Sequence, residues 1–117
     1  FSELQSASQG ESSADIRRRV IAARAIQQER YKDFPAIHCN AQMDSRLISR
    51  WAVPDPEAMR ILEHTMTRFD MSARAYDRIL KVARTIADLD ASPSITALHM
   101  REAVSYRNLD RASWGLR

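Results

Sequence analysis

Three basic residues, Arg74, Arg78 and Lys81, are spaced for one face of a helix. At about 100° per residue, intervals of four and three residues place their side chains in one row. Arg74 follows two positions after Ser72, a residue type that often caps the first turn of a helix. A helix start carries partial positive charge and free N–H groups, so a cation there is unfavourable unless an anion binds both. The spacing indicates either an anion site or a solvated basic surface.

The machinery that binds and activates a nucleotide is missing from the sequence. The only glycines, Gly10 and Gly115, lie near the ends, whereas a phosphate-binding loop needs glycines where its backbone approaches the anion. No apolar strand ends in an acidic pair that could hold Mg²⁺. We therefore expect no catalytic residue in this chain and no tight binding of ATP or Mg²⁺ by it.

A metal site is not expected either. His38 and Cys39 are adjacent and point in different directions, and His64 and His99 fall on separate predicted helices. The single cysteine excludes an internal disulfide and a multi-thiolate zinc site.

Composition favours one small globular domain. The 117 residues are 44% hydrophobic and 28% charged, with a net charge of +3. All but Lys32 and Lys81 of the 18 basic residues are arginines, whose planar guanidinium suits phosphates and carboxylates. No apolar run approaches the ~20 residues of a membrane span. The chain begins at Phe1 without a methionine, and we expect it to be a fragment that starts with a linker over residues 1–11.

Periodicity and capping residues predict an all-α fold, a small bundle of four main helices and one short helix. Tyr31–Gln42, which contains Pro35, is predicted to be an irregular loop. Ile95 is placed to pack against Met100 across the start of the last helix. The first predicted helix begins at Ser12 or Ser13 and continues to about Arg30, and a short second helix follows Asp44 or Ser45. The third begins at Asp55-Pro56-Glu57, the fourth is capped by Ser72 and runs to about Leu89, and the last is capped by Thr96.

Three stretches resemble a known family. Residues 72–89 look like a signature of the C-terminal domain of magnesium-chelatase-like AAA+ ATPases of the ComM (YifB) group. Residues 10–24 with Gln27 or Gln28 and Arg30 resemble the helix that follows the ATPase core of that family. The third stretch resembles the closing helix of the family in His99, Glu102-Ala103 and Tyr106-Arg107. The loop over residues 37–41 also resembles a feature of the family, and Asn40 is its most recognisable residue.

The resemblance implies that residues 12–117 are the helical lid of a larger cytoplasmic ATPase, and not an enzyme alone. ATP and Mg²⁺ would bind the core of the same chain, and the parent would be a hexameric motor acting on DNA. A sensor-2 arginine at the start of a lid helix reaches toward the γ-phosphate in such proteins, and the matching residue is Arg74. Arg78 and Lys81 would make accessory contacts with an anion, a neighbouring subunit or DNA.

Two other functions remain open at the level of sequence. A basic helical module could bind nucleic acid through Arg74, Arg78 and Lys81, although Asp77 and Asp88 are expected near that row. A domain that only mediates oligomerisation is the third possibility. For Asn40 we expect a structural role, with its side chain bonded to local backbone.

Overall fold

The computed structural model describes residues 12–106. Residues 1–11, the expected linker, and 107–117 lie outside the described residues, so the proposed domain boundary stays a prediction. Within 12–106 the fold is all-α, as predicted. The helices are α1 (Ser13–Arg30), α2 (Ser45–Trp51), α3 (Pro56–Phe69), α4 (Ala73–Leu89) and α5 (Ala97–Ser105), with a 3₁₀ turn at Asn40–Gln42.

The predicted helix starts are confirmed by their caps. A side-chain oxygen of the residue before α1, α2, α3 and α4 accepts a backbone N–H three residues on, which satisfies a donor that has no acceptor within the helix. These caps are Ser12 on Asp15 at 3.1 Å, Asp44 on Leu47 at 3.0 Å, Asp55 on Ala58 at 2.8 Å, and Ser72 on Ala75 at 3.2 Å. At α5, Thr96 is the cap, and the His99 ring accepts the Thr96 N–H at 3.0 Å.

Helix α4 ends in a Schellman turn. The Ser92 N–H donates to the Ala87 carbonyl at 2.8 Å, and the Ala91 N–H donates to the Asp88 carbonyl at 3.0 Å. The turn requires the left-handed conformation at Ala91, whose φ is 53°. Pro93 follows and cannot continue the helix. Helix α3 ends similarly, with Asp70 at a φ of 48°.

The core lies between α3, α4 and α5. Leu62 of α3 and Met100 of α5 are completely buried, and Ile79, Leu80 and Ala83 of α4 pack with them in one cluster. Ile95 and Met100, which were expected to pack together across the start of α5, are both fully buried in this cluster. Helix α2 and the loop before it add Ile48 and Met43.

Helix α1 is packed differently from the others. Ala23 is its buried residue, whereas Val20 and Ile21 on the same helix are exposed. Its contact with the bundle is made mainly with α4. None of the helices described has the length and hydropathy needed to cross a lipid bilayer.

Candidate functional site

Arg74 occupies the second position of α4 and is exposed. Ser72 caps the N–H of Ala75, and the N–H groups of Ala73 and Arg74 have no acceptor within the helix. No acidic residue stands in the first turn of α4. Within residues 12–106, the Arg74 guanidinium makes no hydrogen bond or ion pair. The start of α4 therefore presents an uncompensated cation at the positive end of a helix.

The three basic residues named from the sequence line one groove. The groove has a volume of about 770 Å³ and runs between α1, α4 and the end of α5. Two carboxylates, those of Asp77 and Glu102, also line it. Its apolar lining comes from Ile16, Val20, Val82, Ile86 and Leu89. The groove is thus amphipathic: it combines the cations of Arg19, Arg74, Arg78 and Lys81 with two carboxylates and with apolar surface from α1 and α4.

Two residues that line the groove with Arg74 make hydrogen bonds within the domain. The Lys81 ammonium donates to the Ala41 carbonyl at 3.2 Å. A carboxylate oxygen of Asp77 accepts from the Ser45 hydroxyl at 3.2 Å. These contacts tie the middle of α4 to the loop before α2 and to the start of α2. Lys81 is consequently less available to an external anion than Arg74.

A buried ionic cluster lies at the other end of α4. The Asp88 carboxylate accepts from both terminal nitrogens of Arg30, at 2.7 and 2.8 Å, and from Nε of Arg84 at 3.1 Å. The exposed fraction of the side chain is 0% for Asp88, 9% for Arg30 and 5% for Arg84. Arg84 also donates to the carbonyls of Ser92 and Pro93, at 2.6 and 3.1 Å. The cluster fastens the end of α1 and the turn after α4 to one carboxylate.

Asn40 belongs to this cluster. Its side-chain oxygen accepts from the Tyr31 hydroxyl at 2.6 Å and from Arg30 at 2.9 Å. Its amide nitrogen donates to Asp88 at 2.9 Å and to the Thr85 hydroxyl at 3.1 Å. The expectation of side-chain bonds to local backbone is therefore wrong, because the Asn40 side chain bonds to side chains on α4 and at the end of α1. Its role is still structural.

The expected position of Asp88 near the exposed basic row also needs correction. The end of α1 and the loop containing Asn40 cover the last turns of α4, so Asp88 is buried although it follows Lys81 by two helical turns. Arg84 and Asp88 were not predicted to be partners. A signal was present, since an Arg and an Asp four residues apart stand beside the buried Ala83 and Ala87.

Burial and shared bonding shift the pKa values in this cluster. Burial lowers the pKa of Arg84, and the nearby charge of Arg30 acts in the same direction. Burial is the largest single influence on Arg30 and acts to lower its pKa, but the hydrogen bonds and charge interactions with Asp88 and Tyr31 together outweigh it, so the pKa of Arg30 is raised. Burial raises the pKa of Tyr31. Two guanidinium groups thus share one carboxylate in a region of low water access.

The histidines and the cysteine are dispersed. His38 and Cys39 are exposed in the loop, and His64 is exposed on α3. His99 is buried, with its Nε2 2.9 Å from a carboxylate oxygen of Asp90. Across residues 12–106, no three side chains of His, Cys, Asp or Glu come together as a metal site would require.

With this arrangement established, comparison with known proteins identifies the family. The profile described as "Magnesium chelatase, subunit ChlI C-terminal" matches residues 10–107. The chain belongs to this family of C-terminal domains. The chain is 45% identical over 107 residues to a protein named YifB from Salmonella typhimurium, a match that covers 92% of this chain and 20% of that protein.

Further relatives share the domain. The competence protein ComM of Haemophilus influenzae is 40% identical over 102 residues, covering 87% of this chain and 19% of ComM. A Mycobacterium bovis protein designated Mb2921c is 33% identical over 102 residues, covering 87% of this chain and 20% of that protein. This magnesium-chelatase C-terminal domain therefore spans about a fifth of the length of the curated relatives it matches. No solved structure matches it.

Proposed function

We propose that this domain is the lid of an AAA+ ATPase and that Arg74 senses the γ-phosphate of the nucleotide. The lid would close over ATP bound by the remainder of the parent protein and would move when that phosphate leaves. Differential contacts in two states are how γ-phosphate switches operate in general. Family membership supports the lid assignment, and the placement of Arg74 supports its role.

The observation that carries the proposal is the uncompensated positive charge at the start of α4. Arg74 is exposed, has no ion-pair partner within residues 12–106, and stands in a first turn without an acid. A phosphate placed there would accept from the guanidinium and from the free N–H groups of the helix. Loss of that phosphate would remove the anion that both positive groups bind, so the attraction between the lid and the nucleotide would weaken.

Other parts of the proposal concern the parent protein and rest on the resemblance to the ComM group. The parent would be a hexameric motor that acts on DNA in the cytoplasm. Mg²⁺ would be held with ATP by the core and not by this domain. The lid would contact the core of its own chain and that of a neighbouring subunit, where Arg78 and Lys81 would add contacts to an anion, to that subunit or to DNA.

The decisive experiment is ATP turnover by the full-length parent carrying Arg74→Ala. We expect turnover to fall by roughly tenfold or more, because a donor to transition-state charge is removed from a preorganised site. Arg46→Ala is the matched control, since Arg46 is also exposed at the second position of a capped helix, but on α2. Circular dichroism would show that both variants keep their helices. Normal turnover in Arg74→Ala would reject the sensor assignment.

The alternative function, a nucleic-acid-binding module, has one favourable observation: Arg74, Arg78 and Lys81 line one groove. Asp77 and Glu102 in the same groove, and its apolar lining, make it a poor match for a phosphate backbone. Titration of the isolated domain with a DNA duplex at low salt would decide. Affinity that falls steeply with salt and with Arg74→Ala would favour this alternative over the lid.

A further inference from the structure

A second cleft lies away from Arg74. Its volume is about 510 Å³, and it is formed where the end of α1, the end of α2 and the turn after α4 meet. Arg84, on its wall, follows Arg74 by ten residues, which is roughly 15 Å along the helix. The lining includes Arg30, Arg50, Trp51, Arg84, Ser92 and Pro93. None of the described residues lines both this cleft and the groove that contains Arg74, so the two are separate.

Positive charge in this cleft exceeds negative charge. Three guanidinium groups line it and no acidic side chain does. Asp88, behind the wall, pairs with Arg30 and Arg84. Arg50 has no carboxylate partner within residues 12–106, and its guanidinium lies over the Trp51 ring, 4.9 Å from the ring centroid. Arg30 lies over the same ring at 5.9 Å. Two cations thus approach one indole, and one of them is unpaired.

The donors that remain in the cleft suit an oxyanion. Arg84 is nearly saturated, because Asp88 and two backbone carbonyls take most of its N–H groups. Arg30 keeps its Nε–H and one terminal N–H, since its other donors bond to Asn40 and Asp88. Arg50 keeps all five. Nε1 of Trp51 is also buried without an acceptor among the described residues.

We propose that this cleft binds a phosphate-type oxyanion between Arg30 and Arg50. An arginine presents paired N–H groups that match two oxygens of a phosphate, and a second arginine can bond to the remaining oxygens. The bound anion would balance the charge of Arg50 and would add a counter-charge near Arg30 and Arg84, which now share Asp88.

The test is a titration of the 117-residue chain with inorganic phosphate, followed by ¹H–¹⁵N NMR at constant ionic strength in sodium chloride. The reporter is the indole N–H resonance of Trp51, assigned by its loss in Trp51→Phe. We expect a saturable shift of this resonance. Arg50→Gln should weaken phosphate binding by about tenfold or more, since one of two principal ligands is lost. Arg50 is exposed, and an unchanged urea midpoint would show that the variant stays folded.

Arg74→Gln is the matched control, because it removes the same charge from the other groove. It should leave phosphate binding at Trp51 within about twofold of the wild type, since screening weakens a charge at that separation. A wild-type resonance that does not respond saturably, or a response equally strong in Arg50→Gln, would overturn the proposal. Equal weakening by Arg50→Gln and Arg74→Gln would overturn the claim of a separate site.

Two further titrations distinguish the sources of such a phosphate. ATP presents terminal phosphates, whereas a single-stranded oligonucleotide presents phosphodiesters. Tighter binding of ATP with the same dependence on Arg50 would identify the cleft as a site for a nucleotide. Tighter binding of the oligonucleotide, again dependent on Arg50, would identify it as a contact for a nucleic-acid backbone.

Discussion

The Asp88 carboxylate accepts a hydrogen bond from each terminal nitrogen of Arg30, which lies 58 residues earlier in the sequence, at 2.7 and 2.8 Å. The planar guanidinium meets the two carboxylate oxygens in the bidentate geometry that gives the strongest ion pairs. Because neither side chain is appreciably exposed, solvent screens the pair very little. This contact joins the end of α1 to the end of α4 and brings Asn40 and Arg84 into the same cluster.

Removal of the Asp88 charge should destabilise the domain strongly. In Asp88→Asn, Arg30 and Arg84 would stay buried without a counter-charge, and we expect the free energy of unfolding to fall by about 3–5 kcal/mol. Urea denaturation followed by circular dichroism would measure it. Asp77→Asn on the same helix is the control, because Asp77 bonds to Ser45 at the surface and its loss should cost less than about 1 kcal/mol. A loss in Asp88→Asn no larger than in this control would contradict the assigned role.

Alkaline pH should weaken the fold through Tyr31. Burial raises the pKa of Tyr31 in the folded chain, and its hydroxyl must keep its proton to donate to Asn40. The unfolded chain then loses this proton at lower pH than the folded chain. Stability is therefore retained below the unfolded-state pKa and declines as pH rises above it, from about pH 10 upward.

The Tyr31→Phe variant isolates this contribution. It removes the ionisable group, so the unfolding free energy should decline less steeply with pH than in the wild type, measured by urea denaturation from about pH 7 to pH 11. At neutral pH the variant should be less stable by about 1 kcal/mol, because Asn40 loses one donor. The same alkaline slope in both proteins would refute the assignment to Tyr31.

Ala91→Gly should stabilise the domain. Ala91 adopts a φ of 53° in the Schellman turn after α4, a conformation that costs an L-residue with a Cβ roughly 1 kcal/mol and costs glycine little. We expect a gain of up to about 1 kcal/mol, reduced by the greater freedom of glycine in the unfolded chain. Ala22→Gly, at an exposed position inside α1, should instead lose about 1 kcal/mol. A thermal melt compares both variants directly, and a lower melting temperature for Ala91→Gly would contradict this explanation.

The helix boundaries could be predicted because their determinants are local. Ser72 and Asp55 show in the sequence where α4 and α3 begin, since each caps an N–H three residues on. The ends predicted for α1 and α4, at about Arg30 and Leu89, are also confirmed. The left-handed turn after α4 was not predicted, because Ala91 stands where glycine would be the usual signal. The 3₁₀ turn at Asn40–Gln42 was predicted only as part of an irregular loop.

The row of Arg74, Arg78 and Lys81 follows from helical periodicity, and the structure places all three on one groove. The same periodicity could not place Asp88. At about 100° per residue, Asp88 lies only about 40° around α4 from Arg74, and so a helical wheel assigns both to one surface. What separates them is position along the axis, because Arg30 and Asn40 cover α4 at the level of Asp88 and not at the level of Arg74. Contacts between such distant residues cannot be read from the pattern of one helix.

The distribution of contacts along α4 has a mechanical consequence. Its 17 residues form a rod of roughly 25 Å, clamped near its end by Asp88 and Arg84 and bearing Arg74 at its start. Asp77 and Lys81 also bond its middle to the start of α2 and to the loop before α2. Because α4 is held along its length, a force on Arg74 would displace the helix as one body, and the carbonyls of Ser92 and Pro93, held by Arg84, would carry that displacement toward α5.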